Sequence, residues 1–164
     1  RLSQLAEGGA LPHEQVSVLE LAQEAARSLT AQAAAQAVHI SVTGIAGTVF
    51  GVRRLLYEIA RNLCENAVKY NVPGGSVTVE VAETDRDVTL LVRDTGIGIP
   101  QEMLSHIYDF GFSTKAAEGR GFGMSMIQNI VVRHDGTIDV DTEQGAGTTF
   151  TLIFQIKRQK EGSQ

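Results

Sequence analysis

Apolar residues recur most regularly between Val52 and Val68. Val52, Leu55, Leu56, Ile59, Ala60, Leu63, Cys64, Ala67 and Val68 follow the i, i+3, i+4, i+7 spacing of one helical face. Asn71-Val-Pro73-Gly74-Gly75 ends that helix. A second periodic stretch, with Val16, Leu19, Ala22, Ala26 and Leu29, predicts an alanine-rich helix from Pro12 to about Ala37. His39 to Val42 and Thr48 to Phe50 predict short strands around Gly44 and Gly47. Alternation at Val77, Val79 and Val81 predicts a half-buried strand over Ser76 to Ala82, and Val88 to Arg93 predicts its neighbour. A short helix is expected over Gln101 to Ile107, a polar loop over Phe110 to Arg120, and a helix over Gly123 to His134. Thr137 to Asp141 and Thr148 to Ile156 close the chain as strands. The sum is an α+β fold of two layers: a mixed, mostly antiparallel sheet of about five strands, covered by about three helices.

The 164 residues suit one domain. A net charge of −5 and the absence of Trp argue against a nucleic-acid surface. The single cysteine, Cys64, excludes an internal disulfide and a multi-cysteine zinc site. It lies on the apolar stripe and reads as core, and a cytoplasmic setting is expected. The chain starts on Arg1 rather than Met and reads as a piece of a longer protein.

Four short motifs carry the chemistry. Asn62 and Asn66 are four apart and share a helical face, with Lys69 one turn further. An amide oxygen is a hard, neutral ligand suited to Mg²⁺, and a lysine beside it neutralises phosphate. Asp94 ends an apolar strand and is followed by Gly96 and Gly98. A carboxylate there accepts from the exocyclic amine of adenine, and the glycines let backbone approach the base. Gly119, Gly121 and Gly123 precede a helix, where free amides form a phosphate site. The spacing is neither G-x-G-x-x-G nor a Walker loop. Gly145-Ala-Gly147-Thr148 opens the last strand, and Thr148 can support Asp94 through its hydroxyl or a water. Singly, each motif also reads as a surface amide, a strand-ending turn, a loop hinge or a hairpin turn.

As an ordered set they resemble the catalytic ATP-binding domain of sensor histidine kinases, within the superfamily shared with gyrase, the heat-shock chaperone ATPase and mismatch-repair ATPases. The resemblance covers about Leu19 to Ile156. It implies a Bergerat-type ATP-binding fold, with ATP and Mg²⁺ as cofactors. Asn66 would be the main Mg²⁺ ligand with Asn62 assisting, Lys69 would contact phosphate, and Tyr70 would flank the nucleotide. Asp94 would bind the adenine amine in a pocket shaped by Gly96, Gly98 and Ile99 and completed by Gly147 and Thr148. Ile107-Tyr108-Asp-Phe110-Gly111-Phe112-Ser113-Thr114-Lys115 is similar to the family's phenylalanine box. Gly119, Arg120, Gly121, Phe122, Gly123 and Met124 would form the end of the ATP lid, with Phe122 and Met124 standing for the usual leucines. Lys115 and Arg120 are both candidates for the γ-phosphate.

The superfamily's hydrolases place a glutamate four residues before the metal asparagine, where it activates water. Here that position is Asn62. Transfer to a protein is therefore favoured over hydrolysis, with Glu65 as a candidate base for the incoming side chain. A serine kinase of the anti-sigma type, a non-catalytic nucleotide-binding module and a gyrase-like ATPase are the alternatives.

A histidine acceptor is not evident. His13-Glu14 imitates the acceptor motif without its following residues, and His134 continues an apolar helix face. His39 and His106 lack ligand-spaced partners. The expected organisation is a linker over 1–12 leading from an absent dimerisation and phosphoacceptor hairpin, the ATP-binding domain over 13–156, and a polar tail over 157–164. The resemblance implies that hairpin and a downstream response-regulator receiver domain as partners. The isolated domain is expected to be a monomer and the parent a homodimer.

Overall fold

A computed structural model describes residues 11–109 and 122–156, with the side chains of Phe122 and Gly123 outside that description. The element order is β1 (Glu14–Ser17), α1 (Val18–Ser28), α2 (Thr30–Ala35), β2 (His39–Gly44), β3 (Thr48–Gly51), α3 (Arg53–Lys69), β4 (Ser76–Glu83), β5 (Asp87–Asp94), α4 (Gln101–Leu104), α5 (Phe122–Arg133), β6 (Gly136–Glu143) and β7 (Gly147–Gln155).

Five strands form the main sheet in the order β2-β4-β5-β7-β6. Only β2 and β4 run parallel, and the other three pairs are antiparallel. The mixed two-layer α+β fold expected from the pattern is the one observed. Alternation puts Val77, Val79 and Val81 of β4, Val88, Leu90 and Val92 of β5, and Phe150, Leu152 and Phe154 of β7 on one buried face. Helix α3 lays Leu56, Ile59, Ala60, Leu63, Cys64, Ala67 and Val68 against that face. α1 adds Leu21, Ala22 and Ala25, and α5 adds Ile127, Ile130 and Val131. Each fully buried Leu or Ile in this layer stabilises the fold by about 1.5–3 kcal/mol. Burial pushes the Cys64 thiol up to about 12, so it is an inert core residue, as its place on the stripe implies.

The first helix departs from the expectation. Residues Glu14–Ser17 are extended and pair antiparallel with β3 as a separate two-stranded sheet. Ser17 is the switch point. Its Oγ accepts from the Glu20 N–H (3.2 Å) as the N-cap of α1 and donates to the Ala46 carbonyl beside β3 (3.1 Å). Val16 is buried in the strand, so its match to the helical period was coincidental. A break at Leu29 splits the remaining helix into α1 and α2, and Ala37, at φ 57°, lies beyond its end. The short helix after Pro100 stops at Leu104, although Ile107 beyond it is buried. Strand β3, expected simply as a strand, lies outside the main sheet because its partner is the misread β1.

His134 is a core residue, as its helix face suggested. It accepts the Val52 N–H at Nε2 (3.1 Å) and donates from Nδ1 to the Ile130 carbonyl (2.8 Å). Val52 is the N-cap of α3 and carries no side-chain cap, so His134 ties the start of α3 to the end of α5. An Arg53–Glu24 ion pair joins α3 to α1 beside it.

Candidate nucleotide site

The residues from three motifs meet where the central strand β5 ends. Asp94 Oδ1 accepts two backbone N–H groups, from Gly96 (2.8 Å) and from Thr148 (3.2 Å). Neither of these donors goes to Oδ2. Burial raises the Asp94 carboxyl above the usual carboxylate range, and the two N–H donors work against that rise. Asp94 and Thr148 are direct partners across β5 and β7, which explains the second bond. The sequence reading expected Thr148 to support Asp94 through its hydroxyl or a water. The support comes from its backbone instead, because the hydroxyl is engaged by Thr142 (2.8 Å).

The turn after Asp94 is clasped on both sides. The Ile97 N–H donates to the Tyr70 carbonyl at the C-terminus of α3 (3.0 Å). The Gly145 N–H donates to the Ile97 carbonyl (2.8 Å), and the Ile99 N–H donates to Thr142 Oγ1 (2.9 Å). A Cβ at Gly96 would sit 2.3 Å from the Tyr70 carbonyl oxygen. At Gly98, φ is +76° and a Cβ would lie 2.3 Å from the Glu143 carbonyl oxygen. Both positions require glycine for close approach, and Gly98 requires it for its backbone as well.

Asn71 and Thr95 secure the same turn from beneath. Thr95 Oγ1 donates to Asn71 Oδ1 (3.2 Å) and accepts the Ser76 N–H (2.9 Å), while Asn71 Nδ2 donates to the Ser76 carbonyl (3.0 Å). Sequence reasoning missed Asn71, Thr95 and Thr142 as parts of the site. The only signal was their polarity at a helix end, a turn and a strand.

On α3, Asn62 donates its amide NH₂ to the Glu58 backbone carbonyl (2.8 Å) and to Glu58 Oε1 (3.1 Å). Asn66 directs its NH₂ toward Met124 Sδ at 4.0 Å, in the first turns of α5. With both amines so directed, the amide oxygens are the atoms suited to a hard cation. Lys69 Nζ lies 5.4 Å from the centroid of the Tyr70 ring. Glu65 has a separate ion-pair partner on the same helix. It pairs with Arg61 at 3.3 Å, and Arg61 also donates to Ser28 Oγ on α1 (3.3 Å). Phe110, Ser113, Thr114, Lys115, Gly119, Arg120 and Gly121 lie outside the described residues, as do the side chains of Phe122 and Gly123. A separate cleft of about 360 Å³ lies at the other end of α3, between Leu11, Leu21 and Tyr57, away from these motifs.

The family model for the histidine kinase-, DNA gyrase B- and HSP90-like ATPases matches residues 51–158. The chain belongs to this family. Within the ATPase family, its relatives are sensor kinases. The heme sensor protein HssS of Staphylococcus saprophyticus is 37% identical over 106 residues, covering 64% of this chain and 23% of that protein. The adaptive-response sensory kinase SasA of Synechococcus elongatus is 36% identical over 121 residues, covering 71% and 31%. Sensor histidine kinase ZraS of Escherichia coli is 38% identical over 101 residues, covering 62% and 22%. The ATPase-family chain thus spans less than a third of the length of these relatives. The mycobacterial sensor histidine kinase MprB superposes with a TM-score of 0.79 at 25% identity, over 88% of this chain and 97% of that one. The catalytic domain of histidine kinase ThkA shares the fold, with a TM-score of 0.79 at 20% identity over 88% and 96%.

Proposed function

We propose that this domain binds Mg-ATP and donates the γ-phosphoryl group to a histidine on a dimerisation domain of the same parent kinase. The observation that carries the reading is the fixed Asp94 carboxylate. Two backbone N–H groups hold Oδ1, and the free Oδ2 can accept the adenine amine. In this reading Ile99 and Thr148 would wall the base position, and Tyr70 and Lys69 would flank the nucleotide.

The amide oxygens of Asn66 and Asn62 fit a Mg²⁺ that is held mainly by nucleotide phosphates. Among the described residues no cluster of three His, Cys, Asp or Glu side chains offers a different metal site. When bound, Mg²⁺ neutralises charge on the phosphates during transfer. The chain's own residues bind the base, orient the nucleotide and place a cation, Lys69, beside the phosphates. In this assignment Phe110, Ser113, Thr114 and Lys115 would belong to the phenylalanine box, and Gly119, Arg120, Gly121, Phe122, Gly123 and Met124 to the end of the ATP lid. The Glu65 base role requires its carboxylate to turn from Arg61 toward the incoming side chain. Asn62 takes the place of a hydrolytic glutamate, which favours a protein acceptor over water.

In the parent, the linker over 1–12 would lead from the acceptor hairpin of a homodimer into the domain over 13–156. A response-regulator receiver would take the phosphoryl group next. The setting is the cytoplasm, where ATP is found. Among the described residues, no helix is long and apolar enough to cross a membrane.

Labelled ATP tests the assignment. The 164-residue chain alone should remain unlabelled, and attachment of the upstream hairpin should produce acid-labile label on the hairpin. Acid-stable label on a serine would favour the anti-sigma type of kinase, and stoichiometric label on the isolated chain would overturn the proposal.

A further inference from the structure

We propose that Thr142 is a positioning residue of the base pocket: its hydroxyl clasps the Asp94 turn to the β6–β7 hairpin and sets the polarity of Thr148. The inference rests on the nucleotide-site reading.

Thr142 lies on β6, opposite Thr148 of β7. Its hydroxyl has three partners from two other segments. It meets the Gly147 carbonyl at 3.1 Å, Thr148 Oγ1 at 2.8 Å and the Ile99 N–H at 2.9 Å. A hydroxyl has one proton to donate and two lone pairs with which to accept. A carbonyl only accepts, so the Thr142 proton goes to Gly147. The Ile99 N–H only donates, so it takes one lone pair. Thr148 must therefore donate its own proton to the other. Thr142 is saturated, and its three bonds define one arrangement of the pocket.

Two consequences follow. The Ile99 backbone is held on the hairpin, reinforcing the close passage of Gly98 over Glu143 and the bond from the Gly145 N–H to the Ile97 carbonyl. The Thr148 hydroxyl, with its proton committed, presents lone pairs alone. A base that offers an amine there, as adenine does, is favoured over one that offers a carbonyl, as guanine does. Asp94 applies the same preference through Oδ2, so Thr142 extends an acceptor-only surface from one residue to two.

Calorimetric titration of the 164-residue chain with Mg-ADP and Mg-GDP tests this, beside amide exchange at Ile99 followed by NMR. T142V keeps the shape and removes the hydroxyl. It should weaken Mg-ADP about ten-fold, as expected when buried partners are left unpaired. It should also narrow the preference for Mg-ADP over Mg-GDP and speed exchange at the Ile99 amide. T142S retains the hydroxyl and should stay within about two-fold of wild type, since only a methyl group is lost. T142C, whose thiol bonds weakly, should fall between them and serves if T142V does not fold. A purely structural role would lower stability without changing the base preference, and that result overturns the proposal. Wild type that fails to bind Mg-ADP overturns the proposed function itself. Wild type that binds, with T142V equal to it in affinity and preference, overturns only the role of Thr142.

Discussion

Asp94→Asn separates binding from folding at this site. The two N–H donors, from Gly96 and Thr148, both go to Oδ1. An asparagine keeps those bonds by placing its carbonyl oxygen there, which forces its NH₂ into the Oδ2 position. The adenine amine then meets a donor instead of a charged acceptor. Loss of one charge-assisted hydrogen bond costs about 1.5–3 kcal/mol, or roughly 10- to 150-fold in affinity for Mg-ADP. The facing donors add to that loss. Stability should move the other way or not at all. Burial disfavours the Asp94 charge, and a neutral amide of the same size escapes that desolvation. Calorimetry with Mg-ADP beside a thermal melt of the nucleotide-free chain reads both effects. A mutant that binds as tightly as wild type refutes the base-pocket assignment. A mutant that melts well below wild type refutes the claim that the carboxylate's charge is a cost to the fold.

Acidification should weaken Mg-ADP binding from a pH above the ordinary carboxylate range, since the raised Asp94 group protonates there and loses its acceptor charge. Stability shows the opposite sign. The folded state holds this proton more tightly than the unfolded chain, so Asp94's favourable contribution is complete below its unfolded value and is lost as pH rises through the folded one. Titrations and melts at a series of pH values, with D94N as the flat control, check both slopes. Gly98→Ala should destabilise the chain by about 1–3 kcal/mol, because the backbone is left-handed there and the new methyl meets the Glu143 carbonyl. An unchanged denaturant midpoint would show that the turn does not press on the hairpin.

Sequence reasoning read well wherever the deciding information was local. Helix α3 follows from its apolar period, and its end follows from Pro73 and Gly74, because a helix is built from contacts three and four residues apart. Strands β4, β5 and β7 show their buried face through period-two alternation, and the fold class follows. The Asp94 turn was legible from its glycines, whose small size the clasp by Tyr70 and Glu143 explains. Strand β1 was not legible. Its four residues fit a helical period, and only the distant β3 supplies the partner that makes them a strand. The Ile99 bond to Thr142 spans 43 residues and the Thr148 bond to Asp94 spans 54. The Glu65 ion pair with Arg61 was likewise not foreseen, although the two residues stand four apart on α3. The sequence by itself determined helix α3, strands β4, β5 and β7 and the fold class, because propensity and periodicity act along the chain. The tertiary structure decided which atom of Asp94 is held and which hydroxyl donates. Those depend on hydrogen-bond partners that only folding brings within 3 Å or so of each other.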